Sequence, residues 1–316
     1  MICQQKVRKD SVVTAVNQKK TIQFGAEQQT TLVQVRRRRT RRQLVVRAVL
    51  YLVLTVIGLI MLLPLLWLIS TSLKARGLEF TFPPQWIPEP VVWGNYHEAL
   101  TILPFGRFFL NTITITLLST LGSLLSASMV AFGFARIPFP GRKPLFVLLL
   151  STLMLPYVVT LIPSFLLFKY LRWLDTFLPL IVPSFFGGSA FFVFLIRQFY
   201  ATIPLDLDEA AEMDGAGYFR IWWSILLPLS RPVMATVVIF SFIWNWNDFL
   251  GPLIYINSLE NFTLALGLAG FRSQHSARWN LLMAASTVVL IPVLVIFFVA
   301  QRYFIRGIVT SGLSGR

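Results

Sequence analysis

The sequence is poor in the residue types on which metal centres, disulfide scaffolds and soluble enzymes depend. Its 316 residues include one cysteine, two histidines and 13 acidic residues, and charged residues make up only 13% of the chain. A soluble globular protein carries about 25% charged residues. The lone Cys3 excludes a disulfide scaffold and a cysteine-based metal site, and His97 and His275 are too few for a histidine-rich centre. We therefore expect no metal site.

Apolar residues make up 56% of the chain and are gathered in long runs with few or no charges. A helix that crosses a membrane needs about 20 such residues, and a helix satisfies its own backbone polar groups in lipid. The sequence therefore predicts an all-α polytopic membrane protein, with a further short helix at Asn95–Leu100 in the first outer loop. The six predicted transmembrane helices cover 48–73, 108–135, 144–168, 176–196, 232–256 and 279–301.

Basic residues are concentrated just before the first apolar run. Residues 1–47 hold 12 of the 28 Lys and Arg residues, and six arginines lie between 36 and 42. Such a cluster could contact nucleic acid, but its position beside a span favours anionic lipid and the cytoplasmic side, so we expect membrane lipid and no nucleic acid as its partner. The loops assigned to that side carry 21 of the 28 basic residues, which predicts that both termini are cytoplasmic. We expect residues 1–44 to be a mostly disordered tail and 45–316 to be the membrane domain.

The longest predicted inner loop, residues 197–231, has the pattern of two short helices. Pro204 precedes Asp206 and Asp208, a combination that favours a helix start. Gly215 and Gly217 then predict a stop, and a second helix is expected over Tyr218–Leu227. The residues alone leave two interpretations open: an element that docks on a partner, or an amphipathic loop that lies on the membrane.

This loop contains Glu-Ala-Ala, three residues, Gly, nine residues and then Ile-x-Leu-Pro. That arrangement resembles the EAA motif of ATP-binding-cassette importer permeases, and the loop lies between predicted helices 4 and 5. The resemblance extends over roughly residues 45–316 to the carbohydrate importer permeases of the MalG/UgpE-like branch, through Asp175-Thr176, Arg197-Gln198-Phe199 and Trp246-Asn247-Asp248-Phe249 among others. The positions that match the EAA motif are Glu209, Ala210, Ala211, Asp214, Gly215, Ile225, Leu227 and Pro228.

The resemblance implies that the EAA loop couples the permease to a separate ATPase. It also implies a complex with a second permease, two ATP-binding-cassette ATPase subunits and an extracytoplasmic solute-binding protein, in the plasma membrane of a prokaryote. The chain has no G-x-x-x-x-G-K-[ST] phosphate loop and no credible catalytic set, so we expect it not to be an enzyme and to hold no cofactor, with ATP and Mg²⁺ on the partner ATPase. The competing hypothesis is a stand-alone secondary carrier, which would leave the EAA loop unexplained.

A polar cluster in the predicted fifth span is the candidate solute pathway, because polar residues in a span usually face protein or a water-filled cavity. Amides and aromatic rings suit a solute rich in hydroxyl groups. The alternative is a polar helix end with interfacial tryptophans. Asn245 and Asp248, three residues apart, are expected to share one helix face. The candidate residues are Trp244, Asn245, Trp246, Asn247 and Asp248.

Two further groups of residues are weaker candidates. The outer loop 257–278 resembles the family's contact with the binding protein, which implies Gly267, Gly270 and Phe271 as contact residues, and we expect the two glycines to give it a flexible tip. Asn111, Thr112, Thr114 and Thr116 are possible solute contacts, although threonine commonly bonds its own helix backbone. Small residues of the second span, namely Ser119, Gly122, Ser123, Ser126 and Ser128, are more typical of helix packing.

Overall fold

The computed structural model describes residues 43–271 and 278–313, with side chains up to residue 299. Within this part of the chain the regular structure is helical and contains no strand. The chain divides into two compact units, Met1–Leu66 and Trp67–Arg316. The helices are α1 Gln43–Ser72, α2 Gly94–Thr101, α3 Phe105–Arg136, α4 Arg142–Ser151, α5 Tyr157–Tyr170, α6 Leu178–Ile181, α7 Ala190–Tyr200, α8 Asp206–Met213, α9 Tyr218–Ile221, α10 Leu227–Leu229, α11 Arg231–Trp246, α12 Leu250–Tyr255, α13 Leu264–Ala269 and α14 Trp279–Leu313.

Four stretches of the described chain are long and apolar enough to cross a membrane. They are Gln43–Ser72, Phe105–Arg136, Leu178–Tyr200 and Trp279–Val299, and the third of them is interrupted between α6 and α7. Two bent helix pairs, Arg142–Met154 with Tyr157–Tyr170 and Tyr218–Leu229 with Arg231–Trp246, raise the number to six if each pair is one span. The prediction of an all-α membrane protein is confirmed. The short helix expected at Asn95–Leu100 is also confirmed, as α2, while its place on the outer side stays a prediction.

The third predicted span is bent at Pro156. Arg142–Met154 and Tyr157–Tyr170 meet at 97°. Leu155, just before the proline, has an extended backbone with φ −81° and ψ 118°. Because a proline disfavours the helical conformation of the residue before it, the helix ends there and a new one starts after the ring. The straight helix expected over 144–168 is therefore wrong at this point.

The fifth predicted span is also divided. α11 ends at Trp246 and α12 begins at Leu250, so no single helix covers 232–256. The Asn247 side chain donates to the carbonyl of Ile243 at 2.8 Å, and the Asp248 carboxylate accepts from the amide of Gly251 at 3.1 Å. Such side-chain bonds compete with the regular backbone bonds of a helix, and here they accompany its end.

α3 is the central helix of the second unit. In its most apolar window 56% of the residues are buried, compared with 22% for Leu178–Tyr200 and 11% for Trp279–Val299. It contributes to both hydrophobic clusters, through Phe132 near one end and Phe108 near the other. One cluster joins α3 to α7, the inner-loop helices and α11, and the other joins it to α2, α11, α13 and α14. The inner loop is therefore attached to α3.

The small residues of α3 permit a close helix contact, as expected. A Cβ on Gly122 would lie 2.6 Å from the ring of Phe185, which leaves no room for a larger residue. Ser119 and Ser126 donate to the carbonyls of Leu180 and Ser184 at 3.0 and 2.7 Å. These bonds join α3 to the stretch that begins at α6. The packing prediction is confirmed for these three positions of α3.

Candidate functional site

α8 carries the first half of the EAA pattern and begins with acidic residues. Asp206, Asp208 and Glu209 lie in its first turn, where the positive end of the helix dipole favours negative charge. The helix start predicted after Pro204 is confirmed. Most of α8 is exposed, and Asp208 is its only buried residue.

α8 ends in a Schellman motif centred on Gly215. The amide of Ala216 donates to the carbonyl of Ala211 at 2.9 Å, and the amide of Gly215 donates to the carbonyl of Glu212, also at 2.9 Å. Gly215 has φ +78°, a left-handed conformation that glycine adopts without the penalty of a Cβ. The predicted helix stop at this glycine is confirmed, and its physical reason is the backbone conformation.

The second inner helix continues past the predicted stop at Pro228. After α9 the chain forms one π-helical stretch, Trp222–Leu226, and then α10 through Leu229. The amide of Leu227 donates to the carbonyl of Trp222, five residues back. A proline cannot donate a backbone bond and its ring meets the carbonyl four residues earlier, so this wider turn accommodates Pro228. The expected end at Leu227 is therefore wrong by two residues.

The motif residues divide between an outward-facing set and a packed set. Glu209, Ala210, Asp214 and Gly215 are exposed, as is Pro228. The packed set is half-buried against the hydrophobic cluster that joins α3, α7 and α11. It consists of Ala211 and Leu227, with Ile225 also half-buried.

A buried ion pair joins the start of α8 to the end of α3. Arg136 Nε lies 2.9 Å from Asp208 Oδ2, and the two side chains are 5% and 12% exposed. Arg136 Nη2 also donates to the carbonyl of Ile203 at 2.9 Å, in the segment that leads into α8. Burial raises the pKa of the Asp208 carboxyl, although the charge of Arg136 acts in the opposite direction. The sequence analysis missed this contact, since nothing local in the sequence relates residues 72 positions apart.

The polar cluster of the predicted solute pathway is not one continuous helix face. Asn245 donates to the carbonyl of Ser241 at 2.7 Å, one turn earlier in α11, and the amide of Asn247 is likewise bonded to its own helix. Asp248 lies beyond the end of α11. The shared face expected for Asn245 and Asp248 is therefore wrong, because it assumed that the helix continues. Their assignment to a solute pathway stays a prediction.

The two tryptophans beside these residues have different environments. Trp246 is buried, stacks on Phe242 with ring centroids 5.2 Å apart, and donates from Nε1 to the carbonyl of Val289 at 3.2 Å. Trp244 stacks on Phe192 at 5.0 Å and remains 47% exposed. Of this pair, Trp244 alone has an exposed ring surface.

The outer loop before α14 is packed where the structure describes it. Gly267 lies so close to Phe108 that a Cβ would meet the ring, and Phe271 is buried and stacks on Phe105 at 5.7 Å. Gly270 follows the end of α13 with φ −62°. Gly267 and Gly270 are therefore not the flexible tip that the sequence suggested, and residues 272–277 lie outside the described part. Contact with a binding protein stays a prediction.

The polar residues at the outer end of α3 hold this loop in place. Asn111 donates to the carbonyls of Glu260 and Phe262 at 2.8 and 3.0 Å. Thr112 accepts from the amide of Leu264 at 2.8 Å. Thr114 bonds its own helix, and Thr116 is fully buried. The structure thus gives Asn111 and Thr112 a structural contact that their residue types did not reveal.

Asp175 joins the segment after α5 to the segment after α12. Its carboxylate accepts from the amides of Asn257 and Ser258 at 3.0 and 2.8 Å and from the hydroxyl of Ser258, and its backbone carbonyl accepts from Asn261 at 2.8 Å. These bonds, those from Ser258 above all, lower the pKa of Asp175 to about 2. The sequence analysis recognised Asp175 as part of a family pattern without assigning this contact.

Comparison with known proteins identifies the family. Residues 122–310 match the model of the binding-protein-dependent transport system inner membrane component. The chain is 33% identical to the arabinooligosaccharides transport system permease protein AraQ of Bacillus subtilis, over 86% of this chain and 97% of AraQ. It is also 33% identical to the sn-glycerol-3-phosphate transport system permease protein UgpE of Yersinia pestis, over 82% of this chain and 95% of UgpE.

A solved structure shares the fold. A chain of a bacterial ABC transporter involved in the import of the acidic polysaccharide alginate matches with a TM-score of 0.72 and 23% identity, over 81% of this chain and 95% of that one. At this identity the likeness concerns the fold alone. Because the family model and the relatives each match more than half of the sequence, the chain belongs to the inner-membrane permeases of sugar ATP-binding-cassette transporters.

Proposed function

We propose that this chain is a permease subunit that imports a sugar or sugar-like solute by docking α8 on a separate ATPase. The exposed end of α8 supports the docking. There, Glu209 and Asp214 present carboxylates beside the small Ala210, and the chain turns away at Gly215. Small side chains permit close approach to a partner, and carboxylates form charge-assisted bonds with basic residues.

The proposed topology has six spans and both termini in the cytoplasm of a prokaryotic cell. Four candidate spans and two bent pairs are compatible with that number, and in the second pair we assign Arg231–Trp246 to the membrane and Tyr218–Leu229 to the inner loop. The basic cluster before α1 and the excess of Lys and Arg in the proposed inner loops support the orientation. The proposed complex contains a second permease, two ATPase subunits that bind ATP and Mg²⁺, and an extracytoplasmic binding protein.

Purification from the native membrane in mild detergent, with mass identification of the co-purified proteins, tests the assembly. We expect an ATPase with a phosphate loop and a second polytopic permease. Purification of the chain without any ATPase would contradict the proposal and favour the secondary carrier. A Glu209→Lys permease tests the docking surface itself. It should insert into the membrane normally but retain much less ATPase, because the substitution reverses a charge on that surface.

The solute class rests on the relatives. AraQ is named for arabinooligosaccharides and UgpE for sn-glycerol 3-phosphate, so we propose a solute that is rich in hydroxyl groups. The exposed ring of Trp244 and the half-buried amide of Asn245 suit such a solute, since aromatic rings stack on sugar faces and amides bond hydroxyl groups. ATP-dependent uptake of labelled arabinotriose, maltose and glycerol 3-phosphate into membrane vesicles tests this. Uptake of an amino acid in place of all three would contradict it.

A further inference from the structure

The attachment of α8 to the rest of the chain depends on very few side chains. Asp208 is the only buried residue of α8, and Ala211 is half-buried. A cleft of about 240 Å³ lies beside the ion pair, lined by Phe132 and Arg136 of α3 and by residues of α8 and α9. An eight-residue helix with so little apolar burial is not held by packing alone. Ile203, Ala211 and Ala216 make apolar contacts with the hydrophobic cluster that joins α3, α7 and α11. Besides these contacts, the pair between Arg136 and Asp208 is therefore a main determinant of the position of α8 relative to α3.

The ion pair fits a role in geometry better than a role in stability. Removing two charges from water costs several kcal/mol per ion, and the attraction between them often does no more than offset this. Arg136 makes two contacts of different kinds: Nη2 donates a hydrogen bond to the carbonyl of Ile203 at 2.9 Å, and Nε lies 2.9 Å from Asp208 Oδ2 in an ionic contact without hydrogen-bond geometry. A guanidinium can serve both partners from different nitrogens, whereas a lysine has a single nitrogen. The first turn of α8 and the segment leading into it are thereby fixed to one point.

The two ends that meet here also suit each other electrostatically. Arg136 lies in the last turn of α3, where the helix dipole favours positive charge. Asp208 lies in the first turn of α8, where it favours negative charge. Apart from the bent pairs, α3 is the most buried of the candidate spans of the second unit, so a displacement applied at Asp208 is delivered to the centre of the membrane domain.

From these contacts we infer that Arg136 is a positioning residue for energy coupling. Through Asp208 and the carbonyl of Ile203 it fixes α8 to the end of α3, so that movement of α8 by an ATPase also moves α3. This inference rests on the proposed function, because it requires an ATPase on α8. It assigns Arg136, which lies outside the EAA loop, to the transmission of that movement.

Hydrogen–deuterium exchange of the co-purified complex, with and without trapping by ATP and vanadate, tests the inference. In the wild type, trapping is expected to change exchange in both α8 and α3. In Asp208→Asn, α8 should still respond because it still docks, but the response of α3 should fall by at least about fivefold, the lower end of typical coupling between sites. Asp206→Asn is the matched control, since it removes the same charge from an exposed position of the same turn and should behave as the wild type.

The outcomes separate this inference from the proposed function. A wild-type permease that purifies without an ATPase would refute the proposed function itself. A complex in which α3 of Asp208→Asn responds as in the wild type would overturn the inference alone, as would a wild type in which only α8 responds. If Asp208→Asn does not assemble, Arg136→Lys decides, because it keeps the charge but loses one of the two contacts. A wild-type α3 response in Arg136→Lys would then overturn the inference, and a reduced one would support it.

Discussion

Gly215 allows a sharp test, because a matched glycine lies two residues away. Gly215 has φ +78°, and no atom lies within 4 Å of a Cβ built on it. Gly217 is equally open, but it has φ −77° and ψ 165°, an ordinary extended conformation. Alanine at Gly215 therefore causes strain without a clash, whereas alanine at Gly217 causes neither. The left-handed conformation costs an L-residue about 1–2 kcal/mol.

That strain should appear as opening of the Schellman motif. A loss of about 1 kcal/mol corresponds to roughly a fivefold increase in the open population. Hydrogen–deuterium exchange of a peptide that includes the amides of Gly215 and Ala216 measures this opening directly. We expect about a fivefold increase in Gly215→Ala and no increase in Gly217→Ala, since alanine there only restricts the unfolded chain.

A third variant separates strain from contact with a partner. Asparagine tolerates the left-handed conformation better than alanine does, but it is larger. Gly215→Asn should therefore exchange more slowly than Gly215→Ala in the isolated permease, yet it should transport less well if an ATPase surface lies close to this turn. Equal exchange in Gly215→Ala and Gly217→Ala would refute the strain argument. Full transport by Gly215→Asn would refute the close approach.

Three further predictions concern Gly267, Asp175 and Asn245. Gly267→Ala should lower stability by about 1–3 kcal/mol through overpacking against Phe108, whereas Gly106→Ala, with open space around its Cβ, should not; thermal unfolding in detergent compares the two. The protein should lose stability on acidification as the Asp175 carboxyl is protonated, and Asp175→Asn should remove this pH dependence. The pKa of Asp175 is depressed to about 2, so its contribution is complete above its ordinary value of 3.8 and is lost as pH falls through about 2; unfolding measured across that window checks this. Asn245→Ala should raise the KM for uptake about fivefold, the value of one net hydrogen bond, and it also removes the bonds to Ser241; an unchanged KM would favour a purely local role.

Local signals in the sequence were sufficient for the elements around the candidate site. The start of α8 follows from Pro204 and the acidic residues after it, and its end follows from Gly215, because both depend on the backbone within a few residues. The apolar runs likewise indicated the spans, since length and composition are the whole of that signal. Pro156 marks in the sequence a place where a helix can break, but the angle of 97° between the two helices depends on packing.

Contacts between distant segments could not be predicted. The sequence placed Arg136 in a short predicted inner loop and gave no sign of its contact with Asp208. It likewise suggested Asn111 as a solute contact and gave no sign of its bond to the carbonyl of Glu260. The end of α11 at Trp246 was missed for a different reason. The amide of Asn247 can face a cavity or bond the preceding turn, and composition does not distinguish these alternatives.

The π-helical stretch Trp222–Leu226 sets the rotational register between α9 and α10. It includes one residue more than an α-helical turn would need, and one residue corresponds to about 100° of rotation about the helix axis. The side chains of Leu227–Leu229 are therefore turned by that amount relative to those of α9, before the 82° bend that leads into α11. Deletion of Ser224 would restore an α-helical turn and place the ring of Pro228 against a backbone carbonyl. The spacing between the glycine of the motif and its proline thus fixes a direction as well as a distance.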